Sequence, residues 1–227
     1  TWNTFFWAVG AFGVTAILLL SQPDTDTLAV TFAACLVILF VSGRRLIEPL
    51  IMLVLAFLGF LFLALQRTYI SERILTFFDP TRDPLGAGYQ VQQSIVAIGS
   101  GGINGRGFGQ SVQKFGYLPE PAGDSIFAVF SEEFGMIGSL GLIILFVIFV
   151  FVCLRIARRS NDAFASLLVV GITAVIASQA FINIASMLGL MPLSGITLPF
   201  VSHGGTALFM TLSACGIIAS VSRGARK

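Results

Sequence analysis

The residues best suited to chemistry stand in one stretch, 86–133, which reads GAGYQVQQSIVAIGSGGINGRGFGQSVQKFGYLPEPAGDSIFAVFSEE. Three carboxylates close it: Asp124, Glu132 and Glu133. Asp124 sits where a polar loop runs into an apolar helix. Partial desolvation there favours the neutral acid while the helix N-terminus favours the anion, and such opposed pulls suit a proton acceptor. Aspartate is also a good N-cap for a helix starting at Ser125, so capping and proton transfer stand as alternatives. At about 100° per residue, Glu132 lies about 80° round the helix from Asp124 and Glu133 about 180°, so only Glu132 could share its side without a kink. A carboxylate at mid-membrane costs about 2.5–3.5 kcal/mol. The pair therefore either faces a cavity or partner, or is hydrated at interface depth.

The glycine run GSGGINGRGFG invites a phosphate-loop or dinucleotide reading. Neither fits: no Gly-Lys-Ser/Thr follows, the G-x-G-x-x-G register fails at Asn104, and flanking strands are absent. What remains is a flexible outer loop, or backbone amides that cradle a phosphate together with Arg106 and Lys114. Upstream, Gln90, Gln93 and Ser94 share a hydrogen-bonding face of a short helix whose other face carries Val91, Ile95 and Ile98. In YISERILTFFDP, Ile70, Ile74, Phe77 and Phe78 fall on one side while Glu72 and Arg73 point elsewhere, the pattern of an amphipathic helix on a membrane surface.

Composition names the solvent of the elements that must hold these groups. Of 227 residues, 56% are hydrophobic and 11% charged, against about 25% charged in a soluble domain. The chain reads as an all-α polytopic membrane protein. Its net charge of +2 and the lack of any dense basic run argue against nucleic acid as a partner. Cys35, Cys153 and Cys215 lie singly in apolar runs, without metal or disulfide spacing, and read as buried thiols. The opening TWNTFFW has neither Met nor a basic n-region, so it is not a signal peptide, and a piece of a longer protein is expected.

Six apolar runs are visible. Phe5 to Leu20, Leu28 to Val41 and Leu46 to Leu65 precede the loop, with Asp26 or Thr27 capping the second and Glu48 near enough to the start of the third to reach the interface. Ser125 to Leu154, Phe164 to Leu188 and Ala207 to Val221 follow. As one helix, Ser125 to Leu154 would run about 45 Å, longer than a bilayer core of about 30 Å, so its first turns project or tilt. Gly135, Gly138 and Gly141 allow a close helix neighbour there. Arg44 and Arg45, then Arg155, Arg158 and Arg159, then Arg223, Arg226 and Lys227 occupy alternate connections, which the positive-inside rule places in the cytoplasm. The organisation is thus three transmembrane helices over 1–65, an extracytoplasmic loop with short amphipathic helices over 66–124, and three transmembrane helices over 125–227.

The block from DPTRDPLGAGYQ through GQSVQKFGYLPEPAGDSIFAVFSEEFGMIG resembles the large extracytoplasmic loop and following helix of the SEDS family, the FtsW, RodA and SpoVE proteins of bacterial cell-wall synthesis. SQPDTDT resembles the family's QPD turn, and NIASMLGLMPLSGITLPFVSHGG its segment before the last helix. GYQ and GQS-x-x-K-x-x-YLPE are worded more like FtsW and SpoVE than RodA. The resemblance implies ten transmembrane helices, of which the six seen here are the last. It implies a multi-pass protein of the bacterial plasma (inner) membrane, and a peptidoglycan glycosyltransferase that polymerises lipid II on the outer face beside a class B penicillin-binding protein. Asp124 falls on the family's essential Asp and would be the base. Arg73, Arg106 and Lys114 would be cations for the pyrophosphate, Gln90, Gln93, Ser94 and Glu120 sugar contacts, and Glu132 and Glu133 supporting carboxylates behind the base. No resident cofactor or metal ligand set is implied, though a pyrophosphate leaves room for a divalent cation.

There are departures. Ala122-Gly123 stand where the family has His-Thr, Ser125 where it has Phe, His203 where it has Tyr, and Asp26 where it has Gly. These thin the polar shell round the base and leave its position intact. His203 reads as a hydrogen-bonding loop residue rather than a metal ligand. Two other roles remain open: moving lipid II across the membrane without bond chemistry, and scaffolding a penicillin-binding protein. A RodA-type role in elongation rather than division also remains open.

Overall fold

The computed structural model describes residues 2–22, 24–43, 45–66 and 68–224, with the side chains of 2–6 and 8 outside that description. Arg44, Arg226 and Lys227, read above for topology, also lie outside it, as does Pro23 of the QPD turn. The elements are α1 (Trp2–Ser21), α2 (Thr25–Val41), α3 (Ile47–Gln66), α4 (Thr68–Phe78), a 3-10 turn (Pro80–Arg82), α5 (Ala87–Gly101), α6 (Ile126–Arg159), α7 (Ala163–Met187) and α8 (Gly205–Gly224). In lipid every backbone group must be bonded within its own segment, so apolar runs of this length become helices. Among the described residues α3, α6, α7 and α8 are long and apolar enough to cross a membrane, and Val9–Ser21 and Thr25–Val41 are shorter apolar helices. The chain is a multi-pass membrane protein.

Local capping corrects two expectations. Asp24, not Asp26 or Thr27, caps α2, its carboxylate accepting from the Thr27 amide at 3.0 Å. Glu48 does not reach an open surface; it is buried in the first turn of α3 beside buried Pro49. Asp79 caps the 3-10 turn through the Thr81 amide, and Asp83 accepts from the Ala87 amide at 2.7 Å to start α5.

The chain forms two compact units. The first holds Thr1–Leu63, Phe151–Ser178 and Ser213–Lys227. In it α1 packs on α2, with the Phe12 and Phe32 rings 5.6 Å apart. Gly171 of α7 faces Ile38 of α2 so closely that a Cβ would stand 2.9 Å from Ile38 Cδ1. Cys35, Cys153 and Cys215 are all free thiols. The second unit holds Ala64–Val150 and Gln179–Leu212, and with them every candidate site residue. Its core is Phe127, Ala180, Met187 and Leu198, joined by a smaller cluster of Ala97, Leu118, Ala128 and Val129.

α6 is not the single long helix the apolar run suggests. Gly135 has φ 67° and ψ −167°, so the chain makes a short helix to Phe134, breaks, and starts again at Met136. That conformation is essentially confined to glycine.

Candidate functional site

The break in α6 is filled by the glycine-rich loop. The Arg106 amide donates to the Glu132 carbonyl at 3.0 Å and the Gly107 amide to the Glu133 carbonyl at 2.9 Å. On the far side, the Met136 and Ile137 amides donate to the Gly102 and Ile103 carbonyls at 2.9 and 3.2 Å. These four bonds take up backbone groups that the break would otherwise leave bare. A Cβ on Gly105 would run into the Glu133 carbonyl, and one on Gly135 into the Gly105 amide. Gly105 and Gly135 are therefore spent on close backbone approach, and the loop's amides at 106 and 107 are already engaged.

Both glutamates turn from the helix into this loop. Glu132 is fully buried, and its carboxylate accepts from Ser111 Oγ at 2.6 Å and from the Val112 and Gln113 amides at 3.1 and 3.3 Å. Arg106 Nε lies 3.5 Å from it. Glu133 accepts from Lys114 Nζ at 2.7 Å and from the Ser111 amide at 3.4 Å. Lys114 Nζ also donates to the Gly109 carbonyl at 2.9 Å. Both carboxylates, about 100° apart round the short helix, reach the same segment.

Asp124 is treated differently. It lies just before α6, half-buried, and its carboxylate accepts from Gln90 Nε2 and Ser125 Oγ, each at 3.4 Å. The bonds described for it do not come from first-turn amides, so it does not act as the cap. Burial pushes its carboxyl above the ordinary aspartate range, against the lowering pull of the Gln90 bond, and the nearby Glu120 charge adds to the rise. Its backbone is held firmly. Asn183 Nδ2 donates to the Asp124 carbonyl at 2.6 Å and to the Ile196 carbonyl at 2.7 Å, while Ser202 Oγ donates to the Gly123 carbonyl at 2.6 Å. The exposed His203 donates its amide to the Ala122 carbonyl at 2.8 Å, as a loop residue does. The single Ser125 hydroxyl proton is shared between the Pro119 carbonyl at 2.9 Å and Asp124 at 3.4 Å, while its oxygen receives Gln90 Nε2 at 2.9 Å.

The other expected residues divide. Gln90 is brought to Asp124, whereas Ser94 is fully buried, its hydroxyl proton shared between the Gln90 carbonyl at 2.8 Å and Met187 Sδ at 3.3 Å, a packing position closed to a ligand. Gln93 is half-buried on α5, and Glu120 is exposed with φ 44° at the turn leading to Asp124. The Arg73 guanidinium lies 4.5 Å over the Tyr69 ring and on the wall of a pocket of about 100 Å³. Thr76 and Phe77 of α4, Ala87, Val91 and Ile95 of α5, and Pro80, Gly189 and Leu193 complete that wall. The pocket includes neither Asp124 nor Lys114. α5 connects the two places: Gln90 reaches Asp124 while Ala87 and Val91, one position to the side in each turn, line the pocket.

Ser111, Ser125, Asn183 and Ser202 were not picked out from sequence, although all four bond inside the site. Asn183 had a signal, an amide within an apolar span that must find partners. Its Oδ1 is buried with no partner among the described residues. Among the described residues no group of three or more His, Cys, Asp or Glu side chains is placed to hold a metal.

Comparison with known proteins adds to this geometry. The model of the FtsW, RodA and SpoVE family, described as cell cycle protein, matches residues 1–227. Stage V sporulation protein E of Bacillus subtilis (strain 168) is 43% identical over 210 residues, covering 92% of this chain and 57% of the relative. The probable peptidoglycan glycosyltransferase FtsW of Thioalkalivibrio sp. (strain K90mix) is 43% identical over 217 residues, covering 94% and 54%. A solved structure described as "Structural coordination of polymerization and crosslinking by a peptidoglycan synthase complex" superposes with a TM-score of 0.73 at 30% identity, over 92% of this chain and 58% of that one. The chain spans about half the length of the curated relatives it matches.

Proposed function

The chain belongs to the FtsW, RodA and SpoVE family of cell cycle proteins, and from that premise we propose that it forms the catalytic part of a peptidoglycan glycosyltransferase. The substrate is lipid II, a disaccharide-peptide on polyprenyl pyrophosphate, and the product a lengthening glycan strand. Asp124 is the general base. As the acceptor sugar's hydroxyl oxygen bonds to the donor's anomeric carbon, the hydroxyl proton passes to the Asp124 carboxylate. The bond from that carbon to the pyrophosphate oxygen breaks, and polyprenyl pyrophosphate leaves with the electron pair. Attack opposite the leaving group inverts an alpha-linked donor to a beta linkage. Arg73, on the pocket beside α5, faces the pyrophosphate, and Gln90 holds the carboxylate in place.

The observation that supports this best is the incomplete satisfaction of Asp124. It is half-buried, its carboxyl is held above the usual range, and the side-chain bonds described for it are two of 3.4 Å from neutral donors. Such a carboxylate keeps lone pairs for a proton. The names of the FtsW relatives and of the synthase structure point to the same chemistry. The reading extends to a bacterial inner-membrane protein with Asp124 on the outer side, a class B penicillin-binding protein as partner, and service in division or sporulation rather than elongation.

The test is polymerisation of labelled lipid II by the full-length protein and its partner synthase in lipid bilayers. Glycan strands that vanish in Asp124→Asn, with folding and partner binding intact, support the enzyme. Strands made undiminished by Asp124→Asn overturn it; lipid II reorientation that survives the change with no strands made by the wild type favours a transporter.

A further inference from the structure

We propose that Glu132, Glu133, Ser111 and Lys114 form a clasp that sets the direction in which Asp124 points, so that these are positioning residues rather than ligands of the pyrophosphate. The inference rests on the reading of Asp124 as the base. The short helix Ile126–Phe134 has Asp124 at one end and both glutamates at the other, and the Gly135 break cuts it from the rest of α6. Its rotation about its own axis is therefore not dictated by the membrane-spanning part. A slip of one residue turns it by about 100° and would carry Asp124 away from Gln90.

The clasp fixes that rotation at the glutamate end, as Phe127, packed with Ala180, Met187 and Leu198, does near the Asp124 end. Glu132 is saturated by one hydroxyl and two amides of 111–113 with Arg106 Nε at 3.5 Å, and Glu133 is tied down by the Lys114 ammonium and the Ser111 amide. Glu132, so filled, has no lone pair left for a sugar, and the Glu133 charge is already paired with Lys114. Lys114 donates to Glu133 and Gly109 at once, with its side chain 24% exposed against 8% for its partner, so it is committed before any phosphate arrives. Midway between clasp and Asp124, Leu118 is buried on Ala128 and Val129 of the same short helix, stapling the intervening segment to it.

The experiment uses the full-length protein with its partner synthase in lipid bilayers, and compares Lys114→Met, Glu133→Gln, the double variant and Glu132→Gln by polymerisation kinetics on lipid II and by backbone hydrogen exchange. Each single change is expected to lower kcat at least about tenfold with KM within about twofold, and the double variant to be no worse than the poorer single, because each residue acts through the other. Glu132→Gln is expected to speed exchange at the 106, 107, 112 and 113 amides. A raised KM in Lys114→Met with Glu133→Gln silent makes Lys114 a substrate ligand and overturns the clasp. Faster exchange with unchanged kcat overturns it too, since the loop would then be held without aiming the base. A wild type that makes no glycan, whatever the exchange data show, sinks the polymerase reading instead.

Discussion

Asp124 and Glu132 stand at opposite ends of one short helix, and the protein treats them in opposite ways. Glu132 is fully buried and filled with donors: one hydroxyl, two amides and a guanidinium at 3.5 Å. Asp124 is half-buried and underfilled, with two neutral donors at the long end of the hydrogen-bond range. Burial alone does not separate them, because the more buried of the two is the structural one. What separates them is the number of donors aimed at each. A carboxylate with its acceptor sites full contributes stability; one left short keeps the capacity to take a proton.

Removing the underfilled member should have the largest effect on turnover. Asp124→Asn keeps the shape and the Gln90 contact but removes the proposed base, and on that proposal lipid II polymerisation should fall about 100- to 10,000-fold, the usual contribution of general base catalysis. In the wild type, the acid limb of kcat/KM should lie above the ordinary aspartate value of about 3.9, in the direction that burial moves this carboxyl. A limb at or below that value breaks the contrast with Glu132.

Removing the filled member should act on stability. Glu132→Ala strands a buried hydroxyl and two amides, and should cost about 3 kcal/mol, read as lowered thermal or denaturant resistance in detergent. Its effect on partner-free folding should exceed that of Arg106→Met. Arg106 is 41% exposed at 3.5 Å from the carboxylate, and such a contact contributes no more than about 1 kcal/mol.

Most of the scaffold was legible because the signal was long and repetitive. Runs of about 20 apolar residues admit one reading in lipid, and α1, α2, α3, α7 and α8 begin and end within a few residues of the runs read from sequence. α4 was legible from its apolar stripe, Ile70 being its buried residue. The break in α6 was not. Gly135, Gly138 and Gly141 look alike in sequence, and only the first has a left-handed φ, because only there does another loop's backbone reach the helix. The same blindness applied to GSGGINGRGFG, where glycine content suggested mobility or a phosphate and the chain uses Gly101 and Gly105 for close packing. Asp124 was legible as a boundary carboxylate, whereas Lys114 and Arg106 looked available for a phosphate because their partners lie 19 and 26 residues away in sequence.

The break itself can be tested at intermediate cost. Gly135→Ala forces a side chain into a backbone conformation worth about 1–3 kcal/mol of strain and against the Gly105 amide. Gly141→Ala, on the same helix with open space around it, should be neutral or mildly stabilising. Equal melting temperatures for the two variants would mean that the helix can close without the glycine wedge, and the two carboxylates would then owe their difference to something other than the kink.

The smallest effect is also the most direct on the state of Asp124. Its folded pKa is raised, so the protonated form is the one that favours folding: that contribution is full below the ordinary aspartate value of about 3.9 and is lost as pH rises through the folded value. Above that window the wild type keeps a half-buried anion, and Asp124→Asn does not. The melting temperature of the variant relative to wild type should therefore rise between about pH 4 and about pH 8. A true N-cap gives the reverse sign, because the helix N-terminus stabilises the anion and lowers its pKa. A relative melting temperature that falls over that range would return Asp124 to the role Glu132 plays, a carboxylate whose charge serves the fold.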